Sequence, residues 1–391
     1  MRSGHEVTVV TCAPNHPRGQ VYPGYRNRLW QEERMKGIRV IRIWTYMAAN
    51  EGFAKRTLNY VSFMVSAVMA IPRFPKVDVV ITTSPQFFNG LAGYFVGRLK
   101  RVPWVLEIRD LWPESILTVG AVRNKTIIRF LSWLEMFAYR KADHIVPNTD
   151  AFRRYMIDKG VPAAKITVVK NGADLERYVP AAKDPALARE LGLEGKFVAA
   201  YFGTHGMAHH LETVLEAAER LRDEPGVVFL FVGDGAQRAR LVERKETMGL
   251  ANVIMLGQQP KERMPVLWAA ADVSLVLLKR SDLFKTVIPS KIFEAMAMER
   301  PLILGVEGEA KALVEEAGAG TCIQPESAAE LAEAVQALAR APERTRALGR
   351  SGRRFVTEYY SRAVMAKRYE ETLAVVVAAY GAAEPAADAD G

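Results

Sequence analysis

At 391 residues, 49% of them hydrophobic and 25% charged, the chain has room for two ordinary domains and a globular rather than disordered composition. Two cysteines, Cys12 and Cys322, are too few for a disulfide framework or a cysteine-built metal site, and they fit a reducing cytosol. The net charge of +9 is uneven: residues 1–170 hold 26 Lys and Arg against 12 Asp and Glu, a balance of +14, while residues 171–391 hold 27 against 32, a balance of −5. That basic first half predicts an anionic partner, membrane lipid or a phosphate-linked lipid, and no interleaving of basic with aromatic residues supports nucleic acid.

In chain order, Gly4-His5-Glu6 leads at once into Val7–Val10. A first β-α unit opens with a strand, a Gly-rich turn and a helix, so this start predicts the end of a first helix and then a second strand. On that expectation the N-terminal domain lacks its first β-α unit. No apolar leader of a signal peptide is visible. Strands are predicted at 6–11, 39–43, 77–82, 104–108, 144–147 and 166–169. The apolar stretch Tyr60–Ile71, broken by Ser62 and Ser66, is too short to span a bilayer. Lys55-Arg56 and Arg73 flank it, which leaves two readings: a buried helix, or a helix dipping into an anionic membrane surface.

After strand 104–108 comes Arg109-Asp110-Leu111-Trp112-Pro113-Glu114. Two carboxylates, an Arg and a Trp at the carboxyl end of a strand suit a cleft, and an internal ion pair capping the loop is the plainer reading. Asn171-Gly172-Ala173-Asp174 is a turn-forming cluster and marks the domain boundary. A second strand series follows at 197–202, 227–232, 253–256, 273–278, 301–305 and 320–323. Short apolar runs alternating with helical patterns imply β-α units and parallel sheets. The expected class is α/β, two Rossmann-like domains facing across a cleft. Residues 1–172 form the first domain, 173–195 a linker and 196–360 the second. A helix at 361–380 crosses back to the first domain, and 381–391 is a disordered tail.

In the second domain, Gly203-Thr204-His205-Gly206 follows a strand and precedes a helix patterned by Leu211, Val214, Leu215 and Ala218. Glycines there let the backbone approach a pyrophosphate at a helix N-terminus. His205, His209 and His210 are either donors to phosphate and sugar or, for the last two, solvated helix residues. Gly233-Asp234-Gly235 ends another strand, but Arg238 stands where a dinucleotide fingerprint needs its third Gly. A loop lining a base or ribose fits it better. Pro289-Ser290 then opens a helix whose face Ile292, Phe293, Met296 and Ala297 seeks the core. Lys291 and the free amides of that first turn suit a phosphate, and Glu294 suits a sugar's hydroxyls. The pattern reads as a nucleotide-diphosphate pocket. No P-loop, Ser-His-Asp elbow or HExxH motif is present.

Together these residues resemble glycosyltransferase family 4, retaining nucleotide-sugar enzymes of GT-B fold, and within it the subgroup that includes L-fucosamine transferases of O-antigen and capsule synthesis. The likeness rests on Gly4–Thr11, Arg109–Ser115, Asn171–Asp174, Val232–Gly235 and Phe284–Met296. It implies a donor pocket in the C-terminal domain and an acceptor surface on the N-terminal one. By that likeness Glu294 holds the donor ribose, Gly203–Gly206 packs on the pyrophosphate, and Lys285 or Lys291 neutralises the departing diphosphate. Arg109 and Asp110 stand near the reaction centre, and Thr286, Pro289 and Ser290 belong to the donor site.

Three departures shape the expectation. The family's paired glutamates need a Glu eight residues before Glu294, where Thr286 stands; a deoxy or acetamido sugar would miss that carboxylate least. Met207–His210 replace the usual Arg and Lys after the first turn, so phosphate charge must come from elsewhere. A missing first unit would also remove a Gly-rich loop. The resemblance implies a metal-independent, retaining transfer with no cofactor, from a nucleotide-diphosphate sugar to a lipid-linked saccharide. The protein would be cytoplasmic and peripheral at the inner face of a bacterial plasma membrane. A GT-B-fold sugar-nucleotide 2-epimerase and a non-catalytic membrane-surface scaffold of a polysaccharide assembly complex are the alternatives.

Overall fold

The computed structural model describes residues 3–15, 19–48, 53–84, 87–112, 114 and 124–387. The chain divides into two compact units. Met1–Asn148, Phe152–Val168 and Glu370–Gly391 make the first; Thr149–Ala151 and Val169–Tyr369 make the second.

In the first unit, β1 (Thr8–Thr11), β2 (Trp30–Met35) and β3 (Ile38–Ile43) form one sheet in the order β1-β3-β2. A second sheet holds β4 (Val80–Thr83), β5 (Trp104–Ile108) and β6 (His144–Pro147) in that order. The helices are α1 (Phe53–Ala70), α2 (Phe87–Lys100), α3 (Lys125–Lys141) and most of α4 (Asp150–Asp158). All pairs are parallel except β2–β3. That hairpin turns at Lys36-Gly37, with φ of 50° and 85°, the two positive values that match strand twist in a two-residue turn. The sequence reading missed β2, because Trp-Gln-Glu-Glu-Arg-Met is mostly polar and Lys-Gly is a weak turn signal. Asn124 caps α3, its side-chain oxygen accepting from the Thr126 and Ile127 amides at 2.9 and 3.3 Å.

Helix α1 is part buried and part exposed, which fits the buried-helix reading on one face and leaves the membrane reading untested. Ala67 and Ala70 are buried with Ile41, Ile43 and Ala92, while Leu58, Val65 and Met69 are exposed. The strand expected at 166–169 is instead a single isolated bridge between Ile145 and Ile166. The physical reason lies in the chain path: from Val169 onward the residues group with the second unit and leave the sheet.

The second unit is one six-stranded parallel sheet, order β12-β11-β10-β7-β8-β9. Its strands are β7 (Phe197–Phe202), β8 (Val227–Val232), β9 (Val253–Leu256), β10 (Val273–Leu277), β11 (Leu302–Gly305) and β12 (Gly320–Cys322). Helices α5 (Pro185–Glu190), α6 (Glu212–Arg220), α7 (Arg238–Thr247), α8 (Met264–Ala270), α9 (Lys291–Ala297), α10 (Glu309–Glu316), α11 (Ala328–Arg340), α12 (Pro342–Tyr359) and α13 (Arg362–Ala387) complete the chain. Both sheet faces are covered. Val198, Ala200 and Phe202 enter one core cluster, and Ala199 and Tyr201 enter the other. Burial on both sides explains why these strands read as continuous apolar runs rather than alternating ones.

Two expectations on boundaries change. The segment expected as a linker, 173–195, is part of the second unit: Tyr178, Leu187, Ala188 and Leu193 sit in its core. The turn is fixed there because the Ala173 amide bonds the Tyr360 carbonyl at 2.8 Å and the Arg362 amide bonds that of Ala173 at 2.9 Å. The tail expected to be disordered from residue 381 continues α13 to Ala387, since alanine is the strongest helix former; residues 388–391 lie outside the described residues. Residues of α13 from Glu370 on group with the first unit. Each unit is α/β and Rossmann-like.

Candidate functional site

In the second sheet, β8 and β9 lie to one side of β7, and β10, β11 and β12 to the other. The winding therefore reverses between β7 and β10, and open α/β sheets bind ligands outside the strand carboxyl ends at such a point. The loop there is Gly203–His210. The Lys279 amide bonds the Ala208 carbonyl at 2.8 Å, and His209 Nδ1 lies 3.2 Å from the Leu277 carbonyl, so the loops after β7 and β10 are tied together.

The Gly233–Gly235 loop packs beneath, backbone on backbone. The Gly203 amide donates to Val232 at 2.9 Å and the His205 amide to Asp234 at 2.9 Å. A Cβ on Gly233 would stand 1.9 Å from the Gly203 carbonyl oxygen, and one on Gly235 2.6 Å from that of His205. With φ of 148° and 156° as well, only glycine fits at these two positions. The sequence reading gave this loop to a base or ribose; the structure shows that it packs against the β7 loop.

Lys291, the first residue of α9, reaches into this loop. Its Nζ would lie 2.9 Å from a Cβ on Gly203, and it sits 3.9 Å from the centroid of the Tyr201 ring. That nitrogen is buried and has no hydrogen-bond partner among the described residues. Burial lowers Lys291 to about 7, and Glu294 opposes the shift. His205 is fully buried and lowered to about 4 by desolvation, then by Arg238. Burial and next the Lys291 charge lower His209, also to about 4. Both imidazoles are thus neutral near pH 7 and beside two cations. His209 occupies a 3₁₀ turn and His210 the left-handed residue after it, bonded to Thr213 Oγ1 at 2.9 Å, so neither is a solvated helix residue.

Asp234 acts on His205 and Glu294 on Lys291, but neither carboxylate hydrogen-bonds the buried Lys291 ammonium, and a buried charge so placed is costly. An anion such as a diphosphate would offset that cost. The Glu294 carboxyl stands one turn further on. Desolvation raises it, while Lys291, the Tyr178 hydroxyl, Arg362 and Arg177 favour its charged form. One expectation is corrected here. The α9 amides are not all free for phosphate, because those of Ile292 and Phe293 donate to Pro289 and Ser290 at 3.0 and 3.1 Å.

Other expected residues fall differently. Lys285 pairs with Asp282 at 2.8 Å and with Glu307 at 3.8 Å, both exposed pairs. Thr286 Oγ1 donates to the Leu283 carbonyl at 2.6 Å, and Ser290 is exposed with no side-chain cap bond. Arg109 and Asp110 belong to the first unit. The Arg109 amide donates to Ser84 Oγ at 3.3 Å, Ser84 Oγ donates to the Asp110 carbonyl at 3.4 Å, and Asn148 donates to the Arg109 carbonyl at 3.4 Å. Together these bind the loops at the carboxyl ends of β4, β5 and β6. Glu114 takes the plainer reading, an internal ion pair with Lys159 at 3.0 Å; Pro113 and Ser115 lie outside the described residues.

Sequence reasoning missed Tyr201, Tyr178 and Arg238. Tyr201 is the one hydroxyl-bearing residue in an otherwise apolar strand two positions before Gly203, a signal that was available. Arg238 was noted only for the glycine it replaces, yet it supplies part of the charge that Met207–His210 lack. Among the described residues no three His, Cys, Asp or Glu side chains gather to hold a metal ion.

Comparison with known proteins places this geometry. The family described as Glycosyl transferase 4-like domain matches residues 1–172, and that described as Glycosyl transferases group 1 matches residues 184–355. WcaI of Escherichia coli K12, named for glycosyl transfer in colanic acid biosynthesis, is 30% identical over 346 residues, 85% of this chain and 84% of its own. An Escherichia coli protein named UDP-Gal:alpha-D-GlcNAc-diphosphoundecaprenol alpha-1,3-galactosyltransferase is 29% identical over 231 residues, 57% of this chain and 54% of its own. The crystal structure of Anabaena Alr3699/HepE in complex with UDP shares the fold, with a TM-score of 0.66 at 20% identity over 84% of this chain and 85% of that one. This chain belongs to the GT-B-fold glycosyltransferases that join a glycosyl transferase 4-like domain to a group 1 domain.

Proposed function

We propose that the chain moves a hexose, or a deoxy or acetamido hexose, from a nucleotide-diphosphate donor to a lipid-linked saccharide in the making of a bacterial surface polysaccharide. Transfer proceeds with retention and needs neither metal ion nor cofactor. The observation that carries this reading is Lys291 Nζ, buried without a hydrogen-bond partner against Tyr201 and Gly203 at the point where the sheet reverses its winding. A diphosphate there gains an ammonium, the Arg238 charge and two neutral imidazoles, and Glu294 one turn on accepts from the ribose hydroxyls. In the transfer, the bond from the anomeric carbon to the phosphate oxygen breaks while the acceptor hydroxyl bonds the same face. The acceptor proton passes to the departing phosphate, whose growing charge Lys291 stabilises.

The names of the two Escherichia coli relatives support a surface polysaccharide and a lipid-linked acceptor. Thr286, whose hydroxyl proton is spent on Leu283, supports a sugar that does not demand a carboxylate at that position. Among the described residues no helix is long and apolar enough to cross a membrane, and a peripheral place at the inner face suits the basic first half. The test incubates the protein with membranes bearing lipid-linked saccharides and a panel of labelled nucleotide sugars. Label should move to the lipid fraction with the anomeric configuration kept and a nucleoside diphosphate released. Isomerised nucleotide sugar without acceptor would mean an epimerase, and absence of any nucleotide binding would mean a scaffold.

A further inference from the structure

One side chain near the carboxyl end of β7 meets the buried lysine, two imidazoles and the loop that carries them. Tyr201 is fully buried. Lys291 Nζ lies 3.9 Å from its ring centroid, and the His205 and His209 rings lie 5.9 and 5.8 Å from it. Its hydroxyl donates to the Thr204 carbonyl at 2.7 Å. A Cβ on Gly203 would stand 2.9 Å from Lys291 Nζ and 3.9 Å from the Tyr201 hydroxyl, so lysine, phenol and loop converge there. Phe231, the register partner on β8, backs the ring at 6.3 Å.

A buried ammonium needs something of opposite sign before any ligand reaches it. Glu294 acts on Lys291 from its own helix but does not hydrogen-bond it. His205 and His209 on the facing loop are neutral near pH 7, and Asp234 and Arg238 act on His205. The face of the Tyr201 ring carries negative potential, and a desolvated cation gains most from such a face. The hydroxyl does a separate job. It draws the Thr204 carbonyl back onto β7 while the Gly203 and His205 amides bond Val232 and Asp234, which sets the loop's shape in advance. Burial raises the phenol well above its ordinary 10, so it stays a donor across the working pH range.

We propose that Tyr201 is a positioning residue for donor binding: its ring face holds the Lys291 ammonium until a diphosphate takes it over, and its hydroxyl holds the Gly203–Gly206 loop in the receiving shape. The inference rests on the diphosphate reading of this site and goes beyond it by assigning the residue that builds the seat.

Two substitutions separate the two tasks. Tyr201→Phe keeps the ring and removes the tether, and Tyr201→Leu removes both. Carbon NMR spectra of the full chain with isotope-labelled lysines follow the ionisation of Lys291 without any ligand, its signal being the one missing from Lys291→Met. Wild type and Tyr201→Phe should share one midpoint, and Tyr201→Leu should lower it by about half a pH unit or more. Calorimetric titration then uses whichever of UDP, GDP and dTDP wild type binds best. Tyr201→Phe should bind it about three- to tenfold more weakly, as for one lost hydrogen bond, and Tyr201→Leu more weakly still. Phe229→Leu, an equally buried ring in the same core cluster, should unfold at a lower temperature yet keep the midpoint and affinity of wild type. Where Tyr201→Leu does not fold, Tyr201→Met carries the same expectation. A shifted midpoint in a chain that binds no diphosphate would keep Tyr201 as the holder of the ammonium and remove the donor site instead. Equal midpoints in wild type and Tyr201→Leu, or unchanged affinity in both tyrosine variants, would overturn the inference. So would a midpoint moved as far by Phe229→Leu.

Discussion

Lys291 is lowered to about 7 by its burial, and a bound diphosphate would raise it again. Below pH 7 the ammonium is already formed; above it, binding must take up a proton. Affinity for a nucleoside diphosphate should therefore weaken by up to about tenfold per pH unit above 7, and Lys291→Met should bind weakly with no such slope. Titration calorimetry across that range reads both. Glu294→Ala should cost about 1–3 kcal/mol of nucleotide affinity, as for a lost acceptor in a half-buried site, and an unchanged dissociation constant would reject its ribose role. At this scale the sequence was partly legible. Lys291, Glu294 and Gly203 stand in short local patterns that announce a phosphate loop and a helix start. Arg238 does not, because its place near His205 comes from packing between loops far apart in the chain, and for Tyr201 only the lone hydroxyl in an apolar strand gave a signal. For Lys285 the near partner, Asp282, was readable three residues away, and the farther one, Glu307, was not.

Between elements, backbone contact sets the site. Gly233→Ala would drive a Cβ into the Gly203 carbonyl at a φ of 148°, and it should cost about 2–4 kcal/mol in urea unfolding of the second unit while weakening diphosphate binding. In the first unit, α3 is tied beyond α4 by Lys159, which bonds Glu135 at 2.9 Å and Glu114 at 3.0 Å. Burial raises Glu135 from its ordinary 4.5 to about 7, against the pull of Lys159. Between those values the folded chain holds a proton that the unfolded chain has released. This group's contribution is thus complete below pH 4.5 and lost as pH rises through 7. Denaturation followed across that window should show the decline in wild type, and Glu135→Gln should remove it. Strands were readable where both faces are buried, as in Phe197–Phe202, and poorly readable where pairing depends on a partner. The bridge at Ile166 and the hairpin strand Trp30–Met35 are of the second kind.

Over the whole molecule, the alternation of apolar runs with helical patterns was enough for two Rossmann-like α/β units, since parallel sheets impose it on any sequence that forms them. Charge asymmetry was equally plain in composition, but not its placement. Only the folded chain gathers six cations on α2 and α3 while hiding the one carboxylate. The linker was misjudged because a turn cluster looks alike whether it joins units or, as at Ala173, is bonded into one of them. Calorimetric titration of UDP, GDP and dTDP, each beside its monophosphate, into wild type and Lys291→Met tests the phosphate grip most directly. One diphosphate should bind wild type clearly better than its monophosphate, and that difference should vanish in the variant. A wild type that binds none of them, or a variant that keeps the full difference, would contradict a diphosphate held by Lys291.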